Sequence, residues 1–545
     1  MSLPSHASSH TSSHTSSHTS SLGADGMPSR WAVMERRAPW IAALLALVAA
    51  LLTMTSDPIG VFNDDGIYLL TAKALADGQG YVYPHLPGTP PAIHYPPVWP
   101  LLLAAVLKVA PAFPASISWL KLINPFGLAA AAAASTHVGR TRFGLPWWMA
   151  LGVAVAATVS VPMLLLTNLL LSEPLFIALL LPTLVVVERL VREGGVRAAF
   201  LAALLVALLV LVRTLGGVVL IAGVMLLVWE RRWKETVVFA TVTVLLLLPW
   251  QMFVWRASPT FPDELRGSYG PYLEWVVGGY KDSGLPFLKA VLAKNFDATW
   301  RMIGVLTSPT TEGPWRHVSA TLALATFAAG MVALARRGRA PVTVLALGGY
   351  LFVVVVWPFW VDRFLWVVWP LLLLIALAGV VTLWRAAMRA EKRTLAHAIT
   401  AVTVLVAAGH TSYSYRGLSR GWEASASKNM TSAAVPMVRW INLDASLDGK
   451  LIAAELAPLV AIYTGLSVLP VEILTPQEHV KDKSAADHQD ELERIDRRFR
   501  PAAYVVMQAG PFYQPLLAAQ LGEGRRLVDV SPPGLPVRTL KVQTP

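Results

Sequence analysis

Apolar runs of roughly 17–25 residues, the length a helix needs to cross a bilayer, recur along almost the whole of this 545-residue chain. Apolar residues make up 55% and charged residues only 14%, and a soluble core of this size has no room for so many such runs. The fold class read from this pattern is a polytopic α-helical membrane protein. Eleven spans are expected, at about 39–56, 119–138, 145–167, 174–190, 198–213, 215–230, 235–255, 317–335, 341–360, 364–384 and 395–412. Basic clusters choose the orientation, because cytoplasmic loops collect Lys and Arg. Arg140 and Arg142, the Arg189/Arg192/Arg197 group and the Arg231/Arg232/Lys234 group fall on the side of Arg36. So do Arg336, Arg337 and Arg339, and later Arg385, Arg389, Lys392 and Arg393. The N-terminus is therefore expected inside and the C-terminus outside.

One run decides whether that agreement holds. Residues 98–112 are apolar but short and carry Pro100 and Pro111, and counting them as a span would invert every later cluster. They read instead as a helix lying in or dipping into the outer leaflet. The segment 57–118 then becomes a single large outer loop, and 256–316 a second one, rich in aromatics. Residues 1–38 read as a disordered cytoplasmic tail, because the Ser/His/Thr repeat with His6, His10, His14 and His18 has no apolar face. After the last span, 413–545 alternates short apolar runs at 450–454, 468–473, 503–507 and 526–530 with polar helical stretches. That alternation predicts a small α/β domain on the outer side.

The positive balance, +12, lies in these topology-setting clusters and does not point to nucleic acid. With no Cys, disulfides, thiol chemistry and Cys-held metals are excluded. What remains unusual is a set of ionisable residues at outer helix ends and loops: Asp64, Asp65, His94, Glu173, Arg213, Asp362 and Arg363. Charge at membrane depth is expensive and by default marks function. Plainer readings exist for each: Asn63, Asp64 and Asp65 also fit a helix start, His94 a structural role, Glu173 a first-turn acid, Arg213 a snorkelling helix-end residue and Asp362/Arg363 a local ion pair. Acids and arginines together at an outer face suit transfer of a group from a lipid phosphate. Arginines would steady the phosphate as its bond breaks, and a carboxylate would take the proton of an acceptor hydroxyl. Two neighbouring acids also permit a divalent cation without demanding one.

The motifs resemble those of the GT-C superfamily of membrane glycosyltransferases, most nearly its protein O-mannosyltransferase and aminoarabinose–lipid A transferase branch. The matching residues are Asp64, Asp65, Gly66, Ile67 and Tyr68; then His94, Tyr95, Pro96 and Pro97; then Leu171, Ser172, Glu173, Pro174 and Leu175. Arg213 with Thr214, and Arg363 with Phe364 and Pro370, continue the series in order, so that the likeness spans about 39–390. It implies a polyprenyl-phosphate sugar donor and an active site between the first outer loop and the membrane. It also implies Asp64 as catalytic base, with Asp65, Tyr68, His94, Tyr95, Glu173, Arg213 and Arg363 binding substrate. Aminoarabinose transferases carry a lysine before the loop's proline where Tyr95 or Pro96 stands here, so lipid A is not implied as acceptor.

The expected activity is that of a hexosyl- or pentosyltransferase acting on a lipid, glycan or protein acceptor at the outer face of the cell (inner) membrane, among membrane lipids. Rival readings are a surface-polysaccharide ligase or polymerase using a lipid diphosphate, and a transporter. A transporter is expected to show internal repeats and mid-membrane polar residues, whereas here charge gathers at helix ends.

Overall fold

Backbone amides inside a bilayer have no water to bond, so apolar runs must satisfy their own hydrogen bonds, and helix does so within each segment. The computed structural model describes residues 30–309, 313–336 and 338–543. Among the described residues, seven helices are long and apolar enough to cross a membrane: Trp31–Thr53, Ile117–Thr141, Glu173–Glu193, Trp233–Thr260, Trp315–Arg336, Trp369–Arg389 and Arg393–Ser419. Each of the eleven expected runs is helical over most of its length. The chain is a multi-pass helical membrane protein.

The differences from expectation have local causes. The run at 145–167 is not one straight span but two helices, Trp147–Thr158 and Val161–Asn168, bent by 52°. Pro162 sits in the first turn of the second helix, where its missing amide forfeits no bond. Val196–Val212, Thr214–Trp229 and Pro341–Val356 are shorter apolar helices, about 25 Å each at the α-helical rise. The run at 341–360 stops being helical after Val356, and the next expected span is divided into Val361–Val367 and Trp369–Arg389. The first helix starts at Arg30, so residues 30–38 of the expected tail are helical; residues 1–29 lie outside those described.

Small residues let some helices approach backbone to backbone. A Cβ on Gly379 would meet the Thr326 carbonyl oxygen at 1.7 Å, and one on Gly330 the Ile375 oxygen at 2.1 Å. Only glycine permits the crossing of Trp315–Arg336 with Trp369–Arg389 at that distance.

The segments at 57–118, 256–309 and 357–363 gather at one end of the helices. The first holds the helices Asn63–Ala76 and Val98–Val109; the latter has 12 residues, too few to cross a bilayer. The second is mostly one long helix, Tyr272–Val305, kinked at Gly284, whose φ of 64° is the left-handed conformation that glycine tolerates.

Over this end sits a five-stranded sheet of β1 (Leu451–Ala454), β2 (Ser467–Pro470), β3 (Ala503–Met507), β4 (Arg526–Asp529) and β5 (Val537–Gln543). Its order is β2-β1-β3-β5-β4, with β1 parallel to β2 and β3 while β5 runs antiparallel to β3 and β4. Four strands coincide with the expected runs; β5 was not anticipated. The helices Ala457–Thr464 and Ala485–Phe499 make the crossovers that parallel strands require. The sheet domain is bonded to both loop segments: Val468 N donates to His85 O at 2.9 Å and Trp275 Nε1 to Leu474 O at 3.0 Å.

Candidate active site

Asp64 and Asp65 are neighbours in sequence yet face different partners, because successive helical residues diverge by about 100°. Asp65 is 1% exposed and turns back on its own helix start, accepting from the backbone N–H groups of Gly60 and Phe62 at 2.9 Å each. Burial, with the Asp64 charge adding to it, pushes its carboxyl up to about 7 against the pull of those N–H bonds. It is a helix cap, outside the charged cluster, and the adjacent pair does not present two carboxylates to one divalent ion.

Asp64 points the other way. Its Oδ1 accepts from the Tyr95 hydroxyl at 2.6 Å and its Oδ2 from Arg363 Nη1 at 2.6 Å. Burial alone would raise this carboxyl, but the Arg363 charge and the Tyr95 hydroxyl outweigh it and hold it below the usual carboxylate range. Asp64 is thus ionised. Arg363 also donates through Nε to Glu173 Oε1 at 2.5 Å. Glu173, fully buried at the start of its helix, meets Arg213 Nη1 at 3.0 Å, and the same nitrogen donates to Ser172 Oγ at 3.1 Å. Four charges from four distant segments therefore form one chain, Asp64–Arg363–Glu173–Arg213, in which two acids balance two arginines. Such a buried network persists only when each charge has a partner.

The local backbone explains how the arginines get there. Arg213 follows the last residue of Val196–Val212 and is extended, with φ of −149°, where a 3-10 turn at Thr214–Gly216 reverses the chain. Arg363 lies in the short helix Val361–Val367, and the Tyr350 hydroxyl fixes the next residue by donating to Phe364 O at 2.8 Å. Arg363 Nη2 and Glu173 Oε2 are buried and have no hydrogen-bond partner.

An aromatic wall closes one side. The Tyr68 and Tyr95 rings lie 4.6 Å apart, and the Tyr68 hydroxyl reaches Ser172 Oγ at 3.5 Å. His94 does not touch Asp64: its Nδ1 donates to Gly270 O at 2.6 Å while its ring packs on Tyr95 and Tyr272 at 4.5 and 3.9 Å. Burial draws its pKa down to about 4, so it is a neutral prop for the Tyr95 ring. Of the expected site residues, Asp64, Tyr95, Glu173, Arg213 and Arg363 are brought together, Tyr68 and His94 line the wall, and Asp65 stands apart. Asp362 is also outside the cluster, with Oδ1 buried and unpartnered. Sequence reasoning missed Ser172 and Tyr272 as site residues. Ser172 lies in the run quoted for Glu173, and Tyr272 is one of many aromatics in its segment, which singles it out too little.

No described protein family matches the sequence, and no curated protein does. Solved structures do. The crystal structure of ArnT from Cupriavidus metallidurans bound to undecaprenyl phosphate aligns over 92% of this chain and 97% of its own, with a TM-score of 0.55 at 12% identity. Its apo state gives the same coverages, a TM-score of 0.51 and 13% identity. The Archaeoglobus fulgidus oligosaccharyltransferase in the apo form aligns over 89% of this chain and 71% of its own, with a TM-score of 0.51 and 13% identity. ArnT, an aminoarabinose–lipid A transferase, and the oligosaccharyltransferase are both GT-C fold members, and the chain shares that fold, as the motif resemblance led one to expect.

Proposed function

We propose that this chain is an integral membrane glycosyltransferase that moves a sugar from a polyprenyl-phosphate donor to an envelope acceptor at the outer face of the cell membrane. The observation that carries the reading is Arg363, which bonds the candidate base Asp64 and the buried Glu173 at once. It joins proton acceptance and phosphate recognition in one cluster. The bound undecaprenyl phosphate of the ArnT neighbour supports a lipid-phosphate donor of this class.

In this mechanism the acceptor hydroxyl attacks the sugar's anomeric carbon, the bond from that carbon to the phosphate oxygen breaks, and Asp64 takes the hydroxyl proton. The departing polyprenyl phosphate keeps the electron pair, and Arg213 and Arg363 meet its charge, with the free Nη2 of Arg363 as an available donor. Tyr95 and Glu173 orient Asp64 and the two arginines. The topology that goes with this has eleven crossings with the N-terminus inside. A membrane domain at 39–412 and an outer α/β domain at 413–545 complete it. A ligase using a lipid diphosphate would place the same arginines on the same phosphate chemistry. The test is mass spectrometry of envelope lipids and glycans in a strain lacking the protein. A sugar absent from that strain and restored by the chain is expected; an unchanged glycan and lipid profile would contradict the reading.

A further inference from the structure

The segment 53–62, which joins the first helix to the helix bearing Asp64, has little regular structure of its own, yet side chains from four other places hold it at nearly every step. Asn168, 2% exposed, donates through Nδ2 to Thr53 O at 3.0 Å and accepts from Thr55 N through Oδ1 at 2.9 Å. Lys121, 1% exposed, donates through Nζ to Thr55 O at 3.0 Å and to Asp57 O at 2.8 Å. The Tyr463 hydroxyl, from the sheet domain, accepts from Ile59 N at 2.8 Å. Asp65 completes the series at Gly60 and Phe62. At Gly60, with φ of 96°, a Cβ would come within 3.0 Å of Leu459 Cα, so the segment is also pressed against the helix that carries Tyr463.

Two features separate this from ordinary loop packing. A buried lysine is costly unless it is well bonded, and Lys121 spends its ammonium on two backbone carbonyls of this one segment. The holding side chains also come from remote parts of the chain, 66, 113 and 404 residues away from what they hold. A covalent path of a few residues then leads from the strapped segment to Asp64.

We propose that Lys121, Asn168 and Tyr463 are positioning residues for Asp64, fixing the height and direction at which its helix enters the site. The sheet domain thereby takes part in catalysis through Tyr463, without touching the reacting atoms. The inference rests on Asp64 being the base. Misplacing a catalytic group by about 1 Å costs on the order of 100-fold in rate, whereas phosphate binding depends on arginines that the strap does not touch.

The test uses full-length protein in native-lipid membranes, with transfer to the endogenous acceptor read by mass spectrometry and binding of undecaprenyl phosphate measured in parallel. Tyr463→Phe deletes one oxygen and keeps the ring that packs at 5.3 Å on Phe113. Lys121→Met keeps length and removes the charge. Both variants are expected to bind undecaprenyl phosphate within about twofold of wild type while turnover falls roughly 10- to 100-fold. Wild-type turnover in Tyr463→Phe and Lys121→Met would overturn the proposal, and so would binding, folded yield and turnover falling in step. Should Lys121→Met fail to fold, Tyr463→Phe alone decides. If Asp64→Asn itself transfers at the wild-type rate, the reading of the site fails and not merely the strap.

Discussion

Two ionic clusters in this molecule look alike on a list of distances and differ in how they are built. In the sheet domain Lys483 meets Glu478 at 2.6 Å and Glu491 at 2.7 Å, all within 14 residues of sequence, tying the turn Pro476–His479 to the helix Ala485–Phe499. The membrane-end cluster collects Asp64, Glu173, Arg213 and Arg363 from segments up to 299 residues apart. A local cluster folds with its own neighbourhood and serves it. A cluster drawn from four segments must be assembled by the whole fold. The same pair type is a clasp in one region and a candidate reaction centre in the other.

The sharpest way to break that distinction is to remove one member of each. Arg363→Ala strips Asp64 and Glu173 of their shared partner, and transfer is expected to fall by about 100- to 1000-fold, with weaker binding of undecaprenyl phosphate. Lys483→Met leaves Glu478 and Glu491 together without their cation, with an expected loss of roughly 3 kcal/mol in stability of the sheet domain, seen as a lower melting temperature. Turnover per folded molecule should not change. A turnover loss in Lys483→Met as large as in Arg363→Ala would erase the contrast between the clusters.

The smallest expected effect is on pH. Burial, with Glu478 beside it, raises Glu472 to about 7, so folding favours its protonated form. Its contribution to stability is therefore fully present in acid and is lost as pH rises through about 7. Asp64 is held below its ordinary value, so its contribution is present above the usual carboxylate range and is lost as pH falls below it. Glu472→Gln is expected to flatten the melting temperature of the sheet domain between roughly pH 5 and 8, leaving the acid side of the rate profile unchanged.

Much of this was legible in the sequence, for physical reasons that also explain the gaps. Helices announce themselves through apolar length; Asp64, Glu173, Arg213 and Arg363 stand out because charge at membrane depth is expensive, and Tyr95 through the motif resemblance. Asp65 shares the first of those motifs, and only the helical turn between neighbours reveals that it faces its own backbone. The strap was illegible because Lys121, Asn168 and Tyr463 bond backbone groups far along the chain, which leaves no local pattern. Strand β5 escaped notice because Arg538 and Lys541 break its apolar run, as suits a strand whose face is only partly buried.

In the proposed mechanism Asp64 accepts a proton beside a lipid phosphate held by Arg213 and Arg363. Asp64→Asn in purified, lipid-reconstituted protein tests it most directly, because the amide keeps the shape and loses the basicity. The expected result is near-complete loss of sugar transfer, on the order of 100-fold or more, with undecaprenyl phosphate still bound. Transfer at the wild-type rate by Asp64→Asn would contradict it.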